Sequence, residues 1–172
     1  MIFVTVGSQK FQFNRLLIEI DRLIENRKIT EEVFAQIGYS DYEPKSYKYK
    51  EFLDRDEFVK VMNKCNKVIT HGGTGAIIAA VKQGKKVIAI PRLKKFGEHV
   101  DDHQLQIVRQ FEKMNFIKRI DDEKELIKVV LEIENEKFRS YKSNTIAIID
   151  SIEKFINKVE DASEKSFNGY HY

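Results

Sequence analysis

The sequence predicts a single α/β domain in which helices cover both faces of one doubly wound parallel sheet. Short runs of apolar and β-branched residues alternate along the chain with stretches of helical periodicity. Most of the strand-like runs are apolar at consecutive positions, which is typical of strands buried on both faces. A chain of 172 residues is long enough to bury about 70% of its unfolded surface as one domain. We expect that domain over residues 1–160, followed by a polar tail over residues 161–172.

Six strands are predicted, and glycine or proline follows several of them directly. Gly7, Gly38 and Pro91 each come after an apolar run and end it. The predicted strands cover residues 2–6, 32–37, 47–52, 67–70, 86–90 and 116–120.

Helices are predicted between the strands from apolar residues that recur every three or four positions. Asp54 is the expected N-cap of the second helix, and Gly84 is expected to end the third. The last helix is long and amphipathic, within a C-terminal segment of residues 137–160. The predicted helices cover residues 13–26, 54–64, 75–83, 100–115, 122–134 and 138–159.

Composition and charge exclude several classes of protein. Cys65 is the single cysteine, so neither an internal disulfide nor a zinc site of the usual cysteine spacing is possible, which suits a reducing cytoplasm. A net charge of +3 is too small to indicate nucleic-acid binding. No stretch approaches the roughly 18 apolar residues that span a bilayer, and the N-terminal run lacks the basic start of a secretory signal.

Two predicted strands end in unusual turns, and ligands of doubly wound sheets bind at the carboxyl ends of the strands. We call Gly7-Ser8-Gln9 the Gly7 loop and His71-Gly72-Gly73-Thr74-Gly75 the glycine turn. Backbone N–H groups at a helix start bind phosphate, and Thr74 could donate its hydroxyl or cap the helix. The turn matches neither the Walker spacing nor the dinucleotide fingerprint, because Ile78 replaces the third glycine. From the pattern alone, a phosphate site and a tight turn without ligand are equally compatible.

The stretch "EHVDDH" concentrates possible metal ligands: Glu98, His99, Asp101, Asp102 and His103. The two histidines are four residues apart and would share one face of a helix. The HExxH pattern is absent, since valine follows His99. Acidic residues at a helix start also favour the helix dipole. We therefore expect a solvated helix start and no metal.

Other polar residues allow weaker interpretations. Arg92, Lys94 and Lys95 form a basic loop that is either solvated or in contact with an anionic ligand. Ser8 lacks the G-x-S-x-G elbow of a hydrolase. Cys65 is expected to be a buried packing residue and not a nucleophile.

Four blocks in order, "VTVGSQ", "ITHGGTGAI", "GKKVIAIPR" and "EHVDDHQ", resemble the carboxyl-terminal half of family 28 glycosyltransferases. The likeness covers roughly residues 1–120 and is strongest to small one-domain catalytic subunits of bacterial capsule and exopolysaccharide synthesis. Those are similar to the catalytic subunit of the eukaryotic two-subunit N-acetylglucosaminyltransferase of the dolichol pathway.

The resemblance implies a Rossmann-like GT-B half-domain that binds a UDP-sugar and needs no cofactor. An inverting enzyme of this kind transfers a hexose (galactose, glucose or N-acetylglucosamine) to a lipid-linked saccharide in polysaccharide synthesis. The resemblance also implies a membrane-anchored partner protein that supplies the acceptor half and holds the chain at the cytoplasmic face of the membrane. Residues 138–159 would pack either on that partner or on their own sheet. A non-catalytic nucleotide-binding or regulatory subunit is the alternative.

The resemblance also assigns site residues. It places the Gly7 loop near the donor diphosphate, the glycine turn at the diphosphate and sugar, and a polar pair at the sugar hydroxyls. The implied substrate-binding residues are Gly7, Ser8, Gln9, His71, Gly72, Gly73, Thr74, Gly75, His103 and Gln104. Ala79 stands where many relatives carry a ribose-binding glutamate. The catalytic base is expected on the partner, with His71 as the candidate on this chain.

Overall fold

The computed structural model describes residues 1–141, and within them the chain forms six strands and five α-helices. The strands are β1 Ile2–Thr5, β2 Val33–Gln36, β3 Lys48–Lys50, β4 Lys67–Thr70, β5 Lys86–Ala89 and β6 Lys118–Arg119. The helices are α1 Asn14–Glu25, α2 Arg55–Lys64, α3 Thr74–Lys82, α4 His103–Lys113 and α5 Leu126–Glu132. Single 3-10 turns cover Lys94–Phe96, Glu123–Glu125 and Ile133–Asn135.

The six strands form one parallel sheet in the order β3-β2-β1-β4-β5-β6. β1 lies at the centre, where Ile2 is paired with Val33 on one side and with Lys67 on the other. The chain therefore proceeds outward from β1 in both directions, which confirms the predicted doubly wound sheet. Such a reversal of strand order opens a crevice at the carboxyl ends of the two central strands, here β1 and β4.

Two apolar layers enclose the sheet. One face packs against α1 and α5, and the other against α2, α3 and α4. The central strand contributes to both layers, since Ile2 and Val4 belong to the first and Phe3 to the second. Because β1 is covered on both sides, all four of its residues are buried, which explains its continuous apolar run.

Predicted features around α2 are confirmed. The Asp54 carboxylate accepts a hydrogen bond from the Glu57 N–H at 2.8 Å and forms a capping box with that residue. Cys65 at the end of α2 is fully buried, with Sγ 3.2 Å from the Met62 carbonyl oxygen. Burial raises the pKa of this thiol, which disfavours the thiolate that a nucleophile requires.

Edge elements and helix starts differ from the sequence-based prediction. The two edge strands, β3 and β6, are the ones that differ most in length from the prediction. α4 begins at His103 and not at residue 100, since the Asp101 carboxylate accepts from the His103 N–H at 3.0 Å and closes a turn there. The predicted helix 122–134 divides into a 3-10 turn, α5 and a second 3-10 turn.

The predicted C-terminal helix does not begin at residue 138, because residues 138–141 are not helical. The remainder of that helix and the polar tail lie outside the described residues. Within residues 1–141, every helix is too short or too polar to cross a membrane.

Candidate functional site

A pocket of about 660 Å³ opens at the carboxyl ends of β1 and β4. That volume lies within the range of small-molecule sites, about 300–1,000 Å³. All ten sequence-predicted site residues line this pocket. They are Gly7, Ser8, Gln9, His71, Gly72, Gly73, Thr74, Gly75, His103 and Gln104.

His71 follows β4 directly and lies at the floor of the pocket, 7% exposed. Its Nδ1 is 3.4 Å from the Thr70 hydroxyl oxygen and 3.5 Å from the Thr5 carbonyl oxygen. Burial, reinforced by the Arg92 guanidinium, lowers the pKa of His71 to about 4. The imidazole is therefore neutral near pH 7 and is a poor general base, since an efficient base titrates near the working pH. The geometry gives His71 a hydrogen-bonding and packing role.

Two glycines close over the His71 ring from different loops. A Cβ on Gly73 would lie 2.2 Å from Nε2, and a Cβ on Gly7 would lie 2.6 Å from Cε1. Gly7 also has a φ of +79°, which disfavours side chains with a Cβ. By contrast, a Cβ on Gly75 would meet nothing within 4 Å. The glycines at positions 7 and 73 are thus required by the imidazole, whether or not a ligand approaches them.

The start of α3 faces the pocket. Gly73 is the N-cap and Thr74 is the first helical residue, with no side-chain hydrogen bond to the cap. The alternative in which Thr74 caps the helix is therefore wrong. Backbone N–H groups of an uncapped first turn are available to an anion, and the helix dipole favours negative charge there.

Gln104 connects two loops beneath the pocket. Its side chain is buried, and Oε1 accepts from the Gly72 N–H at 3.0 Å and from the Arg92 N–H at 3.1 Å. Because this oxygen is already used, Nε2 is the group of Gln104 that can face a ligand. His103, at the start of α4, is half-exposed on the pocket rim.

The His99 and His103 rings meet without sharing a helix, because α4 begins only at His103. Their centroids are 4.6 Å apart in an edge-to-face arrangement. His103 Nδ1 forms a hydrogen bond with the Asp101 carboxylate. The hydrogen bond from the His103 backbone N–H, together with this side-chain contact, lowers the pKa of Asp101. His99 Nε2 lies 3.2 Å from Gln9 Oε1 on the Gly7 loop.

Arg92 contradicts the prediction of a solvated basic loop or an anion contact. It is fully buried and does not line the pocket. Nη2 donates to the Phe11 carbonyl oxygen at 2.9 Å, and the guanidinium lies 5.6 Å from the Phe13 ring centre. Burial lowers its pKa to about 10. Lys94 and Lys95 remain exposed, so only they fit the solvated interpretation.

The sequence-based prediction missed half of the residues that line the pocket, including a wall formed by α2 and the residues before it. The residues not predicted are Thr5, Gln36, Leu53, Asp54, Arg55, Phe58, Val59, Ala76, Ala79 and Ile107. Several belong to the start of α2, where Arg55 contributes a positive charge. In a parallel sheet the helix after each strand begins at the carboxyl edge, so the position of α2 after β3 could have indicated this wall. Ala79 faces the pocket and carries no polar group there.

The family pattern described as "Glycosyltransferase family 28 C-terminal domain" matches residues 1–165. The chain belongs to this family. The resemblance seen in the sequence is thereby confirmed, and the family supports a donor-binding domain of a glycosyltransferase. No curated protein sequence matches the chain.

Solved glycosyltransferase structures share the fold of this family 28 domain. The glycotransferase of kitacinnamycin has a TM-score of 0.58 at 16% identity, covering 78% of this chain and 35% of that chain. MurG of Acinetobacter baumannii has a TM-score of 0.53 at 14% identity, and the match covers 77% of this chain and 41% of the MurG chain. The solution structure of ALG13 has a TM-score of 0.55 at 16% identity, covering 88% and 93%. At these identities the likeness shows the fold alone, a GT-B carboxyl-terminal half. The chain spans less than half of the length of the first two chains.

Proposed function

We propose that this chain binds the UDP-sugar donor of an inverting glycosyltransferase that transfers a hexose to a lipid-linked saccharide in polysaccharide synthesis. One observation carries the proposal: the Gly7 loop and the uncapped start of α3 enclose a single pocket at the switch point of the sheet. Family membership over residues 1–165 supports it independently.

The pocket offers different chemistry to each part of a UDP-sugar. The N–H groups at the start of α3 suit the diphosphate, and they would stabilise the charge that develops on UDP as it leaves. His103 and the Gln104 amide suit sugar hydroxyls. Leu53, Phe58 and Val59 provide an apolar wall for the base and ribose.

The acceptor hydroxyl must lose a proton during the reaction, and His71 is a poor base for this step. We therefore place the base on an acceptor-binding half that belongs to a membrane-anchored partner. That partner would hold this chain peripherally at the cytoplasmic face. ALG13, which this chain covers to 93% of its length, supports the occurrence of this half-domain as a separate chain.

A non-catalytic nucleotide-binding or regulatory subunit is the second candidate. The observation that favours it is Ala79, which faces the pocket without the glutamate expected at the ribose. The two candidates differ in sugar transfer and agree in UDP binding.

Calorimetry with UDP, uridine and each UDP-hexose tests the donor site first. We expect UDP to bind at least about tenfold more tightly than uridine, because one additional charged contact contributes about 1.4 kcal/mol or more. Equal affinities would contradict a diphosphate site. Transfer of radiolabelled sugar to a lipid extract, with and without a co-expressed partner, then separates the candidates. UDP binding without transfer under both conditions would favour the regulatory subunit.

A further inference from the structure

Three possible metal ligands meet where the loop after β5 enters α4. His99, Asp101 and His103 each place one ligand atom within 4.8 Å of the others. Asp101 Oδ1 lies 3.3 Å from His99 Nδ1 and accepts a hydrogen bond from His103 Nδ1. Because α4 begins only at His103, Asp101 lies in the loop before the helix, where its Oδ1 contacts the Nδ1 atoms of both histidines.

A residue from another loop orients the His99 ring. The Asp101 N–H donates to His99 Nδ1 at 3.4 Å, so the ring proton lies on Nε2 and donates to Gln9 Oε1 at 3.2 Å. The Nδ1 lone pair is therefore directed at Asp101, and a metal ion bound to Nδ1 would displace this long N–H contact. Histidine ligands of metals usually donate the opposite N–H to an oxygen in this way, which fixes the tautomer. Phe11 stacks against the same ring with centroids 4.9 Å apart.

We propose that His99, Asp101 and His103 bind a divalent transition metal ion at the rim of the pocket. Two imidazoles and one carboxylate suit Zn²⁺ and similar ions, whereas Mg²⁺ and Ca²⁺ prefer oxygen ligands alone. Zinc bonds of about 2.0–2.1 Å place neighbouring tetrahedral ligands roughly 3.4 Å apart, and the Asp101–His99 pair is 3.3 Å apart. The Asp101–His103 pair is closer, so these two groups must separate when a metal ion displaces the proton that His103 Nδ1 donates to Asp101.

Three protein ligands leave a coordination position open, as in catalytic zinc sites. His103 lines the pocket, so the cluster lies at the pocket rim, and Gln9 links His99 to the Gly7 loop. The site goes beyond the proposed function and does not depend on it, because its ligands would hold the metal without a donor. It departs from the solvated helix start that the sequence favoured.

The test is calorimetric titration of Zn²⁺ into the full chain, purified without a histidine tag and stripped with a chelator. We expect one Zn²⁺ per chain, and visible absorption bands of a four- or five-coordinate ion when Co²⁺ is used. Asp101→Asn should weaken Zn²⁺ binding at least about tenfold, because it removes a charged ligand. Asp101 is exposed, so this variant is expected to fold, which circular dichroism verifies.

Asp102→Asn is the matched control, since the Asp102 carboxylate accepts from the Lys94 N–H and lies outside the cluster. It should bind Zn²⁺ as the wild type does. His171→Ala removes the histidine near the C-terminus and should leave the affinity unchanged. Absence of stoichiometric Zn²⁺ binding, equal affinity of Asp101→Asn and the wild type, or loss of binding in His171→Ala would each overturn the proposal. UDP titrations of the stripped protein test the proposed function separately.

Discussion

Acidification from about pH 7 to pH 5 is expected to destabilise the fold through His71. Burial, with repulsion from Arg92, lowers the pKa of His71 from 6.5 to about 4. Between these two values the unfolded chain binds a proton that the folded chain does not, so the free energy of unfolding falls as the pH falls. Each pH unit in this window lowers the free energy of unfolding by up to about 1.4 kcal/mol. His71 alone therefore lowers it by about 2 kcal/mol between pH 7 and pH 5.

Carboxylates whose pKa values are lowered contribute mainly in a lower pH range. Burial alone would raise the pKa values of Asp21 and Glu31, but hydrogen bonds to both, and Lys67 beside Glu31, lower them below 3.8 and 4.5 respectively. Their stabilising contribution is complete above those ordinary values and is lost as the pH falls through the folded pKa values. The slope between about pH 7 and pH 5 therefore reports on histidine.

Urea denaturation at constant ionic strength, followed by circular dichroism across this range, measures the slope. His71→Asn should reduce the loss in the free energy of unfolding between pH 7 and pH 5 by about 2 kcal/mol. This holds whatever the substitution does to stability at pH 7. His103→Gln, which removes a half-exposed histidine, should retain the His71 contribution. An NMR titration of the His71 ring should show no protonation above about pH 5. A flat stability profile, an unchanged slope in His71→Asn, or a ring titrating near its ordinary pKa would refute the argument.

Three further substitutions test the site and its supports. Gly73→Ala should displace the imidazole beneath it, lower the free energy of unfolding by about 1–3 kcal/mol and weaken UDP binding in calorimetry. In the control Gly75→Ala, the new Cβ enters open space, so the free energy of unfolding should stay the same or rise. Gln104→Leu leaves two buried backbone N–H groups without their acceptor and should cost about 2–5 kcal/mol in urea denaturation; a loss below about 1 kcal/mol would contradict the connecting role. Asp54→Ala removes the N-cap of α2 and should lower the free energy of unfolding by about 1 kcal/mol. Asp54→Asn should lower it much less, because asparagine also caps helices.

The positions of the glycine loops were predictable because period-two and period-3.6 patterns are local. The runs Ile2–Thr5 and Lys67–Thr70 contain the β-branched residues that are typical of strands covered on both faces. Once parallel strands are assigned, the residues after them must share one edge of the sheet. The Gly7 loop and the glycine turn could therefore be placed at one pocket without coordinates.

The start of α4 could not be predicted in this way. The hydrogen bond from the His103 N–H to the Asp101 carboxylate sets the first residue of α4. The spacing of apolar residues, from which the helix was predicted, carries no information about such a side-chain contact. The opposite wall of the pocket was missed for a related reason. Leu53, Phe58 and Val59 resemble ordinary core residues in sequence, and only the placement of α2 against the crevice directs them to the pocket.

By itself, the sequence determined the strand and helix order, the doubly wound sheet and the family, because these depend on local periodicity and on short motifs. Only the tertiary structure decided what the polar residues do. It buried Arg92 and His71, which lowers the pKa of His71 to about 4 and makes it a neutral support for two glycines. Burial sets the free energy that a side chain needs to carry a charge. It depends on residues that are distant in the chain and pack over that side chain, and no local sequence pattern specifies these residues.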